Sequence, residues 1–224
     1  MLLSHLQELL GGIYDVRIAH DVYDFLVTDR ACLPAHARGG KVEEELIVAQ
    51  PAAGAEELAL SLYLDPALLE RLARHDPLVR LHAGNLADCW TALEGVSHFL
   101  YLAWNAGHDK PVSLVELEMQ AEVDKFVVSY WLLRRQLPGH FPAELRRALF
   151  ARTRTDPRLS ASCAAMYREA SRYAEIYCGR LESRLARAAA RTDGAGDEAA
   201  VLTELRRFYR FTNTRKRVHI ERSA

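Results

Sequence analysis

The stretch from Asn85 to Gln136, NLADCWTALEGVSHFLYLAWNAGHDKPVSLVELEMQAEVDKFVVSYWLLRRQ, decides the fold class. At about 100° per residue, Asp88, Thr91, Glu94, His98, Tyr101 and Asn105 fall in one narrow stripe, and apolar residues such as Leu93, Val96, Phe99 and Leu100 cover most of the remaining circumference. A helix with so little polar surface is mostly buried. Ser113 then opens a second helix, with Glu116 in the capping-box position where the two satisfy each other's backbone donors. Its stripe is Glu118, Glu122, Lys125 and Ser129, set among Leu117, Met119, Val123, Phe126 and Trp131. A short break from Gly107 to Pro111 joins the two, so antiparallel packing in a bundle is expected.

Downstream, the helical punctuation continues. Pro142 and Asp156-Pro157 open two further helices, the second running to about Arg191, and Asp193-Gly194-Ala195-Gly196-Asp197 separates it from one ending near Phe211. Thr212 to Ala224 is polar and reads as a frayed tail. Upstream, Asp65-Pro66 pairs an N-cap with a proline at the first helical position and predicts a helix over 66–74.

Before that point the pattern has period two. Tyr23, Phe25 and Val27 alternate within Asp21 to Thr28, and Leu58, Leu60, Leu62 and Leu64 alternate within Leu58 to Asp65. Glu44 to Gln50 is a third strand, which the turn residues Pro51 to Ala55 would fold antiparallel onto the last. Residues 29–42 read as a loop, and Met1 to Leu10 as an amphipathic helix stopped by Gly11-Gly12. The expected fold is α+β, predominantly α. A small N-terminal antiparallel sheet and helix over 1–65 leads into a helical bundle over 66–211 and a basic C-terminal tail over 212–224.

With 224 residues, half of them apolar, the chain can bury a real core without disulfides or structural metals. The net charge of −1 is a cancellation: residues 1–133 hold nine basic and twenty acidic side chains, and residues 134–224 hold twenty and ten. Those halves either neutralise each other or present an acidic and a basic face to partners. Cys32, Cys89, Cys163 and Cys178 form no Cys-x-x-Cys pair, which fits a reducing cytoplasm. The N-terminus lacks the basic region of a signal peptide, and no run approaches the roughly 18–20 apolar residues that span a bilayer.

Two constellations carry chemistry. If the stripes of the two central helices face each other, Glu94, His98, Glu118 and Glu122 converge as carboxylates plus an imidazole, a donor set for a divalent metal or an acid/base pair. The spacing departs from the Glu-x-x-His pattern of di-iron bundles and from His-Glu-x-x-His zinc helices, since the set has one histidine. The same stripes also read as solvated faces, with Lys125 neutralising Glu118 and Glu122 across one turn.

Arg206, Arg207, Arg210, Arg215, Lys216 and Arg217 interleave with aromatics near the C-terminus, and Tyr173 lies beside arginines on the long helix at the boundary of its apolar face. Such a segment attracts phosphate backbones, anionic lipid surfaces or acidic proteins, or docks on the chain's own acidic half. Asp15, His20, Asp21, Asp24 and Asp29 crowd the first strand without the spacing of a calcium loop, and read as charges on the outer face of an edge strand. No phosphate-loop, dinucleotide-binding or nucleophile-elbow pattern appears.

The leading expectation is a soluble, cytoplasmic binding or regulatory module that meets a protein partner through its helical surface and segregated charge, with a homo-oligomer as one form of that association. A metal-dependent enzyme with its site inside the bundle and a nucleic-acid binder acting through the C-terminal segment are the alternatives.

Overall fold

The computed structural model describes residues 1–38, 42–49, 59–151, 160–190 and 195–222. The chain forms two compact units, Met1–Leu9 with Val16–Pro111 and Leu10–Asp15 with Val112–Ala224. It is predominantly α with a small sheet near the N-terminus. No helix among the described residues is long and apolar enough to cross a membrane.

Helix α1 (Leu2–Tyr14) buries Leu3, Leu6 and Leu10. It does not stop at Gly11-Gly12. Ile13 and Tyr14 continue it because both become buried, and Asp15, in the left-handed region at φ 53°, ends it.

In the first unit, the strand expected over 21–28 shrinks to β1 (Leu26–Val27). The Asp21 carboxylate accepts hydrogen bonds from Tyr23 N (2.9 Å) and the Ser4 hydroxyl (3.2 Å), which winds Val22–Phe25 into a 3-10 turn. Asp29 does the same for Arg30–Cys32 by accepting from Ala31 N at 2.9 Å. These acidic residues therefore cap turns rather than decorate an edge strand, because a short side-chain acceptor competes locally with the ladder. A single helical turn, α2 (Ala35–Arg38), follows. Strands β2 (Glu44–Ala49) and β3 (Ala59–Leu64) complete a sheet ordered β1-β3-β2.

The β2–β3 pair is antiparallel as expected, with Glu44 opposite Leu64 and Leu46 opposite Leu62. β1 runs parallel to β3, pairing Leu26 with Leu62, so the sheet is mixed rather than antiparallel throughout. The turn assigned to Pro51–Ala55 lies outside the described residues. Helix α3 (Pro66–Arg74) opens on Asp65, whose carboxylate caps Ala67 N at 2.9 Å and pairs with Arg30 at 2.7 Å. Asn85 ties down the approach to α4 (Leu86–Ala106): its amide donates to the His75 and Arg80 carbonyls and its oxygen accepts from His82 N. Helix α4 packs on β2, β3 and α3.

The second unit is helical. α5 (Leu114–Gln136) is capped by the Ser113 hydroxyl, which accepts from Glu116 N at 3.3 Å. α6 (Leu145–Phe150) begins a few residues after Pro142. α7 (Ala161–Ala189) is capped by Ser160, and the Asp156-Pro157 start expected for it lies outside the described residues. α8 (Ala195–Tyr209) follows. The C-terminal segment is not frayed: Asn213–Arg222 form α9, because Lys216 and Ile220, one turn apart, are both buried. α7 packs against α5, α6, α8 and α9.

Candidate metal centre

On α4, Glu94 and His98 stand one turn apart, on the same face, as residues four apart must. They present ligand atoms within 4.8 Å of each other. His98 is only 5% exposed and its stripe neighbours Tyr101 and Asn105 are buried, so the C-terminal half of the stripe is not a solvated face, while Asp88, Thr91 and Glu94 are partly exposed.

Sequence reasoning missed a third group in the same unit. Glu44, the first residue of β2, brings its Oε1 to 3.7 Å from His98 Nδ1, and its side chain is 13% exposed. Oε1 is buried and makes no hydrogen bond. Glycine admits it to this position: a Cβ on Gly95 would stand 3.0 Å from Glu44 Cγ, 3.2 Å from its Oε1 and 2.7 Å from Leu62 Cδ1. Gly95 costs about 1 kcal/mol of helix propensity relative to alanine, and the clearance it leaves is filled by a carboxylate. Burial pushes the Glu44 carboxyl up; His98 pulls it down, and Glu94 and Glu45 push it up again. A signal for Glu44 was present in the run Glu43-Glu44-Glu45, where period two sets Glu44 on the face of Leu46, opposite Glu45.

Glu118 and Glu122 belong to α5, in the second unit. Glu118 is buried, and Glu122 is partly buried and pairs with Lys125 at 2.9 Å, the one-turn neutralisation expected for it. The interior of this unit is more polar than the stripe suggested. Asp124 accepts from the Tyr14 hydroxyl and from Gln120 Nε2 (2.7 Å), and the Gln120 oxygen accepts from Lys216 Nζ at 2.6 Å.

The basic C-terminal residues are largely engaged within the second unit. Arg206 donates to the Ile13 and Gly12 carbonyls (3.2 and 3.4 Å), and Arg210 to those of Tyr14 and Asp15 (2.9 and 2.8 Å), so the two guanidinium groups cap the end of α1. Arg217 pairs with Glu169 at 2.7 Å and reaches the Tyr173 hydroxyl. Arg207 and Arg215 lie over the Phe211 ring. Tyr173 is buried rather than open, and its hydroxyl donates to Glu221 at 2.7 Å.

No family model, curated protein or solved structure matches the chain. Its chemistry has to be argued from the side chains alone. One imidazole with neighbouring carboxylates in a buried setting is a donor set for zinc, manganese or iron, since imidazole suits these ions and carboxylate oxygen satisfies all three.

Proposed function

We propose that the chain is a metal-binding protein, with Glu94 and His98 of α4 as donors to a divalent transition-metal ion. The observation that carries the reading is the burial of His98 between carboxylates of α4 and β2, with the Glu44 oxygen 3.7 Å from its ring. An imidazole with a carboxylate one turn away on the same helix face is a two-donor set for a dication, and the buried Glu44 oxygen adds negative charge beside it. An ion held by side chains with a position left open acts as a Lewis acid, which is what distinguishes catalytic sites from closed structural ones. The nucleic-acid reading rests on the cations of 206–217, several of which are drawn into contacts inside their own unit, and the partner-binding reading rests on the helical surface and segregated charge, for which no specific site is defined; the metal reading has named donors.

Elemental analysis of tag-free protein, followed by a Zn²⁺ and Mn²⁺ titration of the metal-stripped chain, tests this. We expect stoichiometric metal in the wild-type protein and its loss in His98→Ala. Absence of stoichiometric metal together with flat titrations would overturn the proposal.

A further inference from the structure

We infer that Glu44 is a positioning residue for His98, holding the Nδ1–H of the ring so that Nε2 is the nitrogen turned to the metal. The inference rests on the metal reading above. A histidine ligates through one nitrogen only, and the proton and partner on the other nitrogen decide which one. Ligating imidazoles almost always give that second N–H to a carboxylate, a carbonyl or a water, which sets ring orientation and raises ligand basicity.

Glu44 has the placement for this role. Its Oε1 is the carboxylate oxygen that faces Nδ1, at 3.7 Å, and it is buried with no hydrogen bond of its own, so it is placed to accept the Nδ1–H when the pair draws in to the roughly 2.9 Å of an N–H···O bond. It arrives from a different element, so the ring is held from outside its own helix. The strand that carries it is pinned on both sides of the residue: Asp65 N donates to the Glu43 carbonyl at 2.9 Å before it, and Glu45 pairs with Tyr63 across the ladder after it. Gly95 is the second half of the device, since any Cβ there would press on Glu44 Cγ and Oε1 and on Leu62. A leucine at position 44 would pack against this face without the cost of burying an acid. The carboxylate is therefore accounted for by what it faces.

The test measures two things on the full-length chain, the Zn²⁺ dissociation constant and the tautomer of His98 by ¹⁵N NMR of the metal-free protein. Glu44→Leu is expected to weaken Zn²⁺ binding about 10- to 100-fold and to shift His98 away from the Nδ1–H form. Glu44→Gln keeps an acceptor oxygen and is expected to restore the tautomer and most of the affinity, a rescue that a purely packing role does not give. Gly95→Ala, which alters no polar group and favours helix, should reproduce the Glu44→Leu loss; it carries the test if Glu44→Leu does not fold. Wild-type affinity and tautomer in both Glu44→Leu and Gly95→Ala would overturn the role of Glu44 and leave the metal reading standing. A wild-type chain that binds no Zn²⁺ would overturn both.

Discussion

At the scale of the residue, burial decides reactivity. Cys89 and Cys178 are buried; burial pushes the Cys89 thiol up to about 12, with Asp76 and Asp88 adding to it, and holds Cys178 well above the usual thiol range. The thiolate is the nucleophile, so both are inert in the native state. Cys32 is exposed and Cys163 partly so. A thiol reagent should therefore modify Cys32 first and Cys163 more slowly, and reach the other two only on unfolding; rapid native-state modification of all four would contradict this. Asp65 supplies a pH dependence. Its carboxyl is held below its ordinary value, foremost by the Ala67 N–H, against an opposing push from burial, with Arg30 and the Tyr63 hydroxyl adding to the lowering. A depressed pKa contributes stability that is fully present above the unfolded value, about 3.9, and is lost as the pH falls through the folded one. Asp65→Ala should cost about 1 kcal/mol at pH 7, a difference that shrinks in denaturant melts taken below about pH 4. The Asp65 cap was legible because capping is local chemistry between neighbours in sequence. For Glu44 period two gave only the face, that of Leu46; its partner lies in α4, about fifty positions away, and no local pattern tells which group on another element that face meets.

At the scale of the element, the helices were the legible part. Narrow polar stripes, Asp65-Pro66 and Ser113 with Glu116 located α3, α4 and α5 to within a residue or two. The errors fell where tertiary contacts override local preference. Gly11-Gly12 reads as a stop, yet α1 continues because Arg206 and Arg210, almost two hundred positions later, take up its terminal carbonyls. The period-two run at 21–28 reads as a strand, yet the Asp21 cap winds Val22–Phe25, half of it, into 3-10 geometry. α9 was misread for a third reason: a polar composition conceals that Lys216 and Ile220 are the inward positions. Lys216 is more than a filler, since its ammonium bonds the Gln120 oxygen and lies 5.0 Å over the Phe208 ring. Lys216→Ala would leave that buried oxygen unsatisfied, at a cost of about 1–3 kcal/mol, whereas Arg222→Ala at the exposed end of α9 should stay within about 0.5 kcal/mol of wild type. Chemical denaturation of the two variants checks this, and equal effects would mean that α9 is not anchored through Lys216.

At the scale of the whole molecule, the near-neutral charge conceals two opposite halves, and within each compact unit the ions are substantially paired. Arg71 bridges Glu43 and Asp88 at 2.8 and 2.9 Å in the first unit, and Arg146 pairs with Glu175 and Glu182 at 3.6 and 2.8 Å in the second. Composition alone did not reveal that neither unit is continuous in sequence. Leu10–Asp15 belongs with Val112–Ala224, and its contribution is specific: the Tyr14 ring stacks on Tyr209 at 4.2 Å, its hydroxyl bonds Asp124, and the carbonyls around it receive Arg206 and Arg210. A fragment of residues 112–224 lacks all of these, leaving Asp124 short of a donor and Arg206 and Arg210 without the carbonyls of residues 12–15. Asp124 is buried, and a buried acceptor that loses a donor costs more than the bond it made was worth. The fragment should therefore unfold at lower denaturant than the same unit in the intact chain, and a peptide of residues 1–15 added in excess should raise its midpoint, because a ligand that binds only the folded state stabilises it by mass action. The same peptide with Tyr14→Ala should do so far less. A fragment as stable as the intact unit, or equal rescue by both peptides, would show that the end of α1 is not an integral part of the second unit.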